Sequence, residues 1–251
     1  MSQDAPLPPW YQRKLAVIDT ETTGLNPDQG DRIVELGLIC FDKGEVVDRW
    51  GTLIDPDCPL PADTTRITGI RPEDVAGQPL FRDVADTFLE KIAGHLLVAY
   101  NADFDRLFVV EELARAARAL PDGAIWLDPL VFAKEIQRGQ GNMKLGTVAK
   151  RLGVPLEEAH RATADAECAG WILLAFKEEL PEGLDELLDL QERWGAKQQA
   201  ERAPWQSRRR RGTLSLAVDT DGPRNGLGPG YPHANELDPV RHMFLRGTGR
   251  V

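Results

Sequence analysis

Three short clusters hold side chains that could do chemistry together. They are D-T-E-T-T-G from Asp19 to Gly24, Y-N-A-D-F-D from Tyr100 to Asp105, and H-R-A-T-A-D from His160 to Asp165. The first follows Leu15-Ala16-Val17-Ile18, an apolar run with two β-branched residues that reads as a buried strand. Residues two apart on a strand share a face, so Asp19 and Glu21 project side by side from its end. Two carboxylates so placed repel each other and lose hydration, and a divalent cation with oxygen ligands offsets both costs. The plainer alternative is a strand end running into a polar loop with both acids solvated.

The second cluster sits where the apolar run H-L-L-V-A-Y-N gives way to a helix. Asn101 or Asp103 could cap that helix, the common role for such residues. Asp105 lies beyond the cap and, with Phe104 directed into the core, would look back over the sheet end. In the third cluster His160 and Asp165 fall at the start of the last helix of the body. A lone histidine there is ordinarily a surface residue. All three clusters share one setting, strand ends and helix starts, where open α/β sheets gather their sites.

The elements that must position these residues follow from periodicity. Strands are expected around 14–19, over D-R-I-V-E-L-G-L-I-C-F and over E-V-V-D-R-W-G-T-L-I-D, the last two joined through Asp42-Lys43-Gly44 as an antiparallel meander. A Pro-rich loop comes next, then a short helix after Pro72. Phe81, Val84, Ala85, Phe88, Leu89 and Ile92 have helical spacing closed by Gly94. H-L-L-V-A-Y-N and A-I-W-L-D read as two more strands. Helices are expected over 104–120, 129–136, 144–152 and 163–180. Together these make an α/β protein with a mixed sheet covered by helices.

In this order the three clusters resemble the motifs of the DEDDh 3′–5′ exonucleases, the family that includes the proofreading epsilon subunit of bacterial DNA polymerase III. The resemblance covers residues 13–178 and implies an RNase H-like mixed five-stranded sheet flanked by helices. It implies that Asp19, Glu21, Asp105 and Asp165 are the metal-site acids and that His160 is the general base. Two ions about 4 Å apart can supply a nucleophile and neutralise charge during phosphodiester hydrolysis. In that scheme Asp19 bridges them, Glu21 and Asp165 hold the one that binds the attacking water, and Asp105 supports the second through water. Oxygen ligands favour Mg²⁺ or Mn²⁺. Asp63 and Thr68 fall where relatives contact substrate, Thr68 standing where His is frequent, and Asn101 keeps the pattern while Tyr100 stands where many relatives have His. Thr22, Thr23 and Gly24 would let a terminal nucleotide approach the strand end, and a plain turn is the other reading.

The remaining features bound the class. With 42% hydrophobic and 28% charged residues the 251-residue chain has the composition of a soluble protein, and no apolar run approaches a membrane span. The N-terminus lacks a secretory pattern, and Cys40, Cys58 and Cys168 make no C-x-x-C pair, which suits a reducing cytoplasm. The net charge of −10 is uneven: residues 196–251 hold ten Lys/Arg and five Asp/Glu, so the first 195 residues carry −15. The organisation expected is an extension over 1–12, an exonuclease domain over 13–180, an amphipathic helical extension over 181–200, and a flexible, disordered basic Gly/Pro-rich tail over 201–251. Leu184, Leu187, Leu188 and Trp194 follow helical spacing, the pattern of a helix packed on its own domain. Arg66, Arg71 and Lys144 are read as solvated surface residues rather than phosphate contacts.

The function expected is metal-dependent 3′–5′ exonuclease activity on single-stranded DNA 3′ ends, in proofreading or repair. The alternatives are an RNA-trimming exonuclease and a catalytically weak module that docks on nucleic acid or a polymerase. A DNA polymerase is the partner the resemblance suggests. The stretch R-G-T-L-S-L-A-V from Arg211 to Val218 is either a sliding-clamp peptide without its usual Gln or a plain apolar patch.

Overall fold

Strand β1 (Leu15–Thr22) carries the expected apolar run, its first four residues fully buried. The computed structural model describes residues 7–156 and 161–214, with side chains through 201. β1 pairs antiparallel with β2 (Ile33–Asp42), and β2 with β3 (Glu45–Leu53). Lys43 and Gly44 join the last two at φ of 54° and 79°, both positive as a tight hairpin requires. On its other side β1 pairs in parallel with β4 (Leu96–Val98), and β4 with β5 (Trp126–Leu127). Among the described residues the sheet order is β3-β2-β1-β4-β5.

Three helices separate β3 from β4: α1 (Ala62–Thr68), α2 (Pro72–Val75) and α3 (Phe81–Ile92). Then come α4 (Ala102–Arg115), α5 (Pro129–Ile136), α6 (Leu145–Leu152), α7 (Ala162–Ala175) and α8 (Leu184–Leu214). The even positions of β1, Ala16 and Ile18, pack with Phe81, Phe88 and Ile92 of α3 and Phe108, Val109 and Leu113 of α4. Truncating such a buried Phe to Ala costs about 3–5 kcal/mol, so this layer holds the sheet rigid. α7 covers the opposite face. A side chain at Gly170 would run into Phe41 and Val17, so the helix lies close on the strands.

Several boundaries differ from the sequence reading. α1 occupies part of the expected Pro-rich loop. Its buried positions are Thr64 and Thr68, so it carries no apolar periodicity to betray it, although Gly69 at φ 75° ends it as helices commonly end. α4 stops at Arg115 rather than 120, where Ala117 turns to φ 53°. α7 stops at Ala175 rather than 180. α8 continues past 200, where the flexible tail was expected to begin, because Ala196 to Ala203 are all strong helix formers. The chain divides into two units between Gln191 and Glu192. Residues 1–6 of the extension expected over 1–12, and 215–251 of the tail expected over 201–251, lie outside the described residues. No helix among the described residues is long and apolar enough to cross a membrane.

Candidate active site

Asp19 sits in β1 beside Gly37 of β2, and Gly37 beside Gly51 of β3, one row across three strands. A Cβ at Gly37 would overlap the Ala162 backbone, and one at Gly51 would overlap the Thr163 side chain. The missing side chains let the first turn of α7 rest directly on the sheet. Asp165, in that first turn, thereby comes to the carboxylates at the end of β1. Asp19, Glu21 and Asp165 each present a carboxylate oxygen within 4.8 Å of the other two.

Asp105 arrives from the opposite face. It lies in the first turn of α4, buried, and its Oδ1 accepts the Thr20 backbone N–H at 2.9 Å and the Thr20 hydroxyl at 2.8 Å. Asn101 is the N-cap residue of α4 in the left-handed region, φ 75°, without a side-chain capping bond; Asp103 is exposed. The Asn101 N–H instead donates to Asp128 Oδ1 at 2.9 Å, and Asp128 also caps α5 through Leu130 N–H. Gln191 closes the adjoining sheet edge, accepting the Asp128 N–H and donating to the Trp126 carbonyl.

The charges are costly as they stand. Burial, then Asp105, Glu21 and Asp165, push Asp19 well above the usual carboxylate range. Burial, then Asp165 and Glu35, raise Glu21 to about 8, with Arg161 opposing. Burial raises Asp105 to about 7 against the bonds from Thr20. Three hard oxygen donors that repel one another are a donor set that a divalent cation fits.

This arrangement has counterparts. An exonuclease family model of the RNase T type matches residues 16–173. The chain belongs to the exonuclease family. The exonuclease domain is 35% identical over 154 residues to the DNA polymerase III subunit epsilon of Treponema pallidum, covering 61% of this chain and 71% of that one. It is 32% identical over 169 residues to the 3′-5′ exonuclease DinG of Bacillus subtilis, covering 67% of this chain and 18% of that protein. A PolC-type DNA polymerase III of Clostridium perfringens is 33% identical over 175 residues, 70% of this chain and 12% of the polymerase. The chain therefore spans under a fifth of these two larger relatives. Exonuclease X in complex with 5′ overhanging duplex DNA has the same fold, with TM-score 0.57, 24% identity, 70% of this chain and 99% of that chain. So does the nuclease domain of 3′hExo, a DEDDh family member bound to rAMP, with TM-score 0.58, 16% identity, 67% of this chain and 94% of that chain.

The other expected contacts of the exonuclease domain are distributed unevenly. Thr22 Oγ1 donates to the Gly24 carbonyl at 2.6 Å. Thr23 is buried, its hydroxyl accepting Arg32 N–H and donating to Asp31. A side chain at Gly24 would meet the Asp31 carboxylate, which would have to move aside. Thr64 donates to the Thr23 carbonyl, which ties α1 to this turn. Thr68 is buried too, donating to the Thr64 carbonyl and accepting Ile70 N–H. Asp63 is exposed and pairs with Arg66 at 3.0 Å. His160 lies outside the described residues.

Sequence reasoning missed Glu35, Arg161, Asp128 and the glycine row. Glu35 is buried in β2 opposite Glu21, accepts the Ala162 N–H at 3.3 Å and pairs with Arg161 at 3.0 Å. An acid within the apolar run I-V-E-L-G-L-I was a visible signal. Asp128 followed by Pro129 is a helix-start signature that pointed to the α5 cap.

Proposed function

We propose that this exonuclease-family chain is a metal-dependent 3′–5′ exonuclease that releases nucleoside monophosphates from DNA 3′ ends, in proofreading or repair. The observation that carries the reading is the meeting of Asp19, Glu21 and Asp165 at the end of β1, with Asp105 hydrogen-bonded beside them. In this reading Asp19, Glu21 and Asp165 would hold Mg²⁺ or Mn²⁺, with Asp105 supporting a second ion through water. Bound there, the ions would activate water and neutralise charge developing at phosphorus. His160, as neutral imidazole, accepts the proton of the attacking water. Thr22, Asp63 and Asn101 contact the terminal nucleotide, while Thr23, Gly24 and Thr68, engaged within the fold, shape the surface it meets.

Direction and substrate are supported by the relatives' names, a DNA polymerase subunit and a 3′-5′ exonuclease, and by a fold neighbour that holds DNA. The 3′hExo domain bound to rAMP supports a second reading, RNA trimming, because carboxylates and metal ions do not tell sugars apart and a 2′-OH contact does. The free thiols of Cys40, Cys58 and Cys168 suit a reducing cytoplasm. The basic tail from 201 serves in this reading as a tether to nucleic acid or to a polymerase, with Arg211–Val218 a candidate clamp contact; from Ser215 that stretch lies outside the described residues.

Digestion of single-stranded DNA, mismatched primer–template and RNA by one preparation separates the readings. Mononucleotide release should be faster from DNA than from RNA, and faster from a mismatched than a matched 3′ end. Faster release from RNA favours trimming, and no release with Mg²⁺ or Mn²⁺ contradicts both.

A further inference from the structure

Arg161 precedes α7 by one residue and lies at the rim of the acid cluster. Its Nη2 is 3.0 Å from Glu35 Oε1, and that carboxylate is only 5% exposed. The arginine side chain is nevertheless 51% exposed. A buried acid thus holds a guanidinium whose side chain stays half exposed, and a guanidinium carries five donors in a planar fork. Its charge opposes, without reversing, the upward push of burial and neighbouring acids on the Glu21 carboxyl. Its anchor is a buried side chain on the sheet, so this ion pair is shielded from solvent on the carboxylate side.

We propose that Arg161 binds a backbone phosphate of the substrate strand, with Glu35 as the residue that positions it. The proposal rests on the exonuclease reading and adds to it a contact outside the metal-site acids and His160. The chemistry favours a phosphodiester: a planar, half-exposed guanidinium fork matches phosphate oxygens bidentately, in a body whose net charge of −15 otherwise repels a polyanion. A phosphate contact fixes register without reading sequence, so it serves DNA and RNA alike. The same Glu35 carboxylate accepts the Ala162 N–H. Substrate binding at Arg161 and the seating of α7 therefore share one anchor.

The test uses the full-length protein and anisotropy of a 5′-labelled single-stranded oligonucleotide in Ca²⁺, so that binding is read without turnover. Arg161→Gln should weaken binding about tenfold, the loss of one charge-assisted contact. It should also reduce the salt slope by about one. Arg161→Lys should recover part of the affinity. Oligonucleotides carrying a single neutral methylphosphonate linkage, moved one position at a time from the 3′ end, then locate the contact. At one position the neutral linkage should weaken the wild type by the same factor and leave Arg161→Gln indifferent, and Glu35→Gln should be partly indifferent there too. Equal sensitivity of wild type and Arg161→Gln at every linkage makes the arginine a structural latch and overturns the proposal. So does absence of oligonucleotide binding by the wild type. Failure to release nucleotides with Mg²⁺ counts against the exonuclease reading alone, because the linkage pattern is read from binding.

Discussion

Thr20 gives two hydrogen bonds to one oxygen of Asp105, from its backbone N–H at 2.9 Å and its hydroxyl at 2.8 Å. The central strand and helix α4 meet through this pair, and the bonds favour the ionised carboxylate. Burial nonetheless leaves Asp105 titrating at about 7, above the ordinary 3.8. The bonds are therefore worth most above pH 7, where the group is charged. In chelator, Thr20→Val should lower stability by about 1–3 kcal/mol at pH 8 and by less at pH 5.5. Urea unfolding at the two pH values checks it; equal losses contradict the assignment.

The carboxylate cluster predicts an unusual stability profile for the metal-free protein. Glu21 titrates at about 8 in the folded state against an ordinary 4.5. A raised acid contributes stability that is complete below its unfolded pKa and lost as pH rises through its folded one. Asp19 and Asp105 are raised in the same direction. Thermal melts in chelator should therefore fall between pH 5 and 8.5, and Glu21→Gln should flatten the fall. Mg²⁺ should stabilise strongly at pH 8 and little at pH 5, because protons and the cation compete for the same oxygens. A metal-free melting temperature that rises over this range would refute the profile.

The glycine row makes a separate prediction. Because a methyl at Gly37 overlaps the Ala162 backbone, Gly37→Ala must push the first turn of α7, and Asp165 with it, off the sheet. Overpacking of this kind costs about 1–3 kcal/mol. Nuclease activity should drop far more than Mg²⁺-free stability does, and Mn²⁺ affinity should fall alongside it. Retained activity and affinity in a folded variant would show that α7 does not need this close approach.

How much of this was legible in the sequence depends on which residues carried periodicity. The apolar strand before Asp19, the hairpin at Lys43-Gly44, the stripe from Phe81 to Ile92 and the acids at element ends were visible because burial imposes alternation or helical spacing. α1 was not, because its inward positions are Thr64 and Thr68, whose hydroxyls donate to the Thr23 and Thr64 carbonyls rather than joining an apolar core. Gly37 and Gly51 gave no signal as a pair, since their register emerges only once β2 and β3 are aligned. Gly24 had two readings, and in the structure it lies against the Asp31 carboxylate. Arg161 looked like any charged residue until Glu35 was found beneath it.

Proton transfer and metal binding should separate by mutation. His160→Ala should reduce turnover by about 10²–10⁴, the usual worth of a general base. Mn²⁺ titration of that variant should give an affinity near the wild type's, whereas Asp165→Ala should lose it. Equal losses of metal in the two variants would make the histidine a ligand.

In the proposed function Asp19, Glu21 and Asp165 work as one cation-holding group for cleavage at a 3′ end. The decisive measurement is digestion of a 5′-labelled oligonucleotide by wild type and by Asp19→Ala, each with Mg²⁺ and with excess chelator. The wild type with Mg²⁺ should give a ladder shortening stepwise from the 3′ end, and the other three reactions intact substrate while both proteins remain folded. Wild-type shortening undiminished by chelator, or full activity of Asp19→Ala, would contradict it.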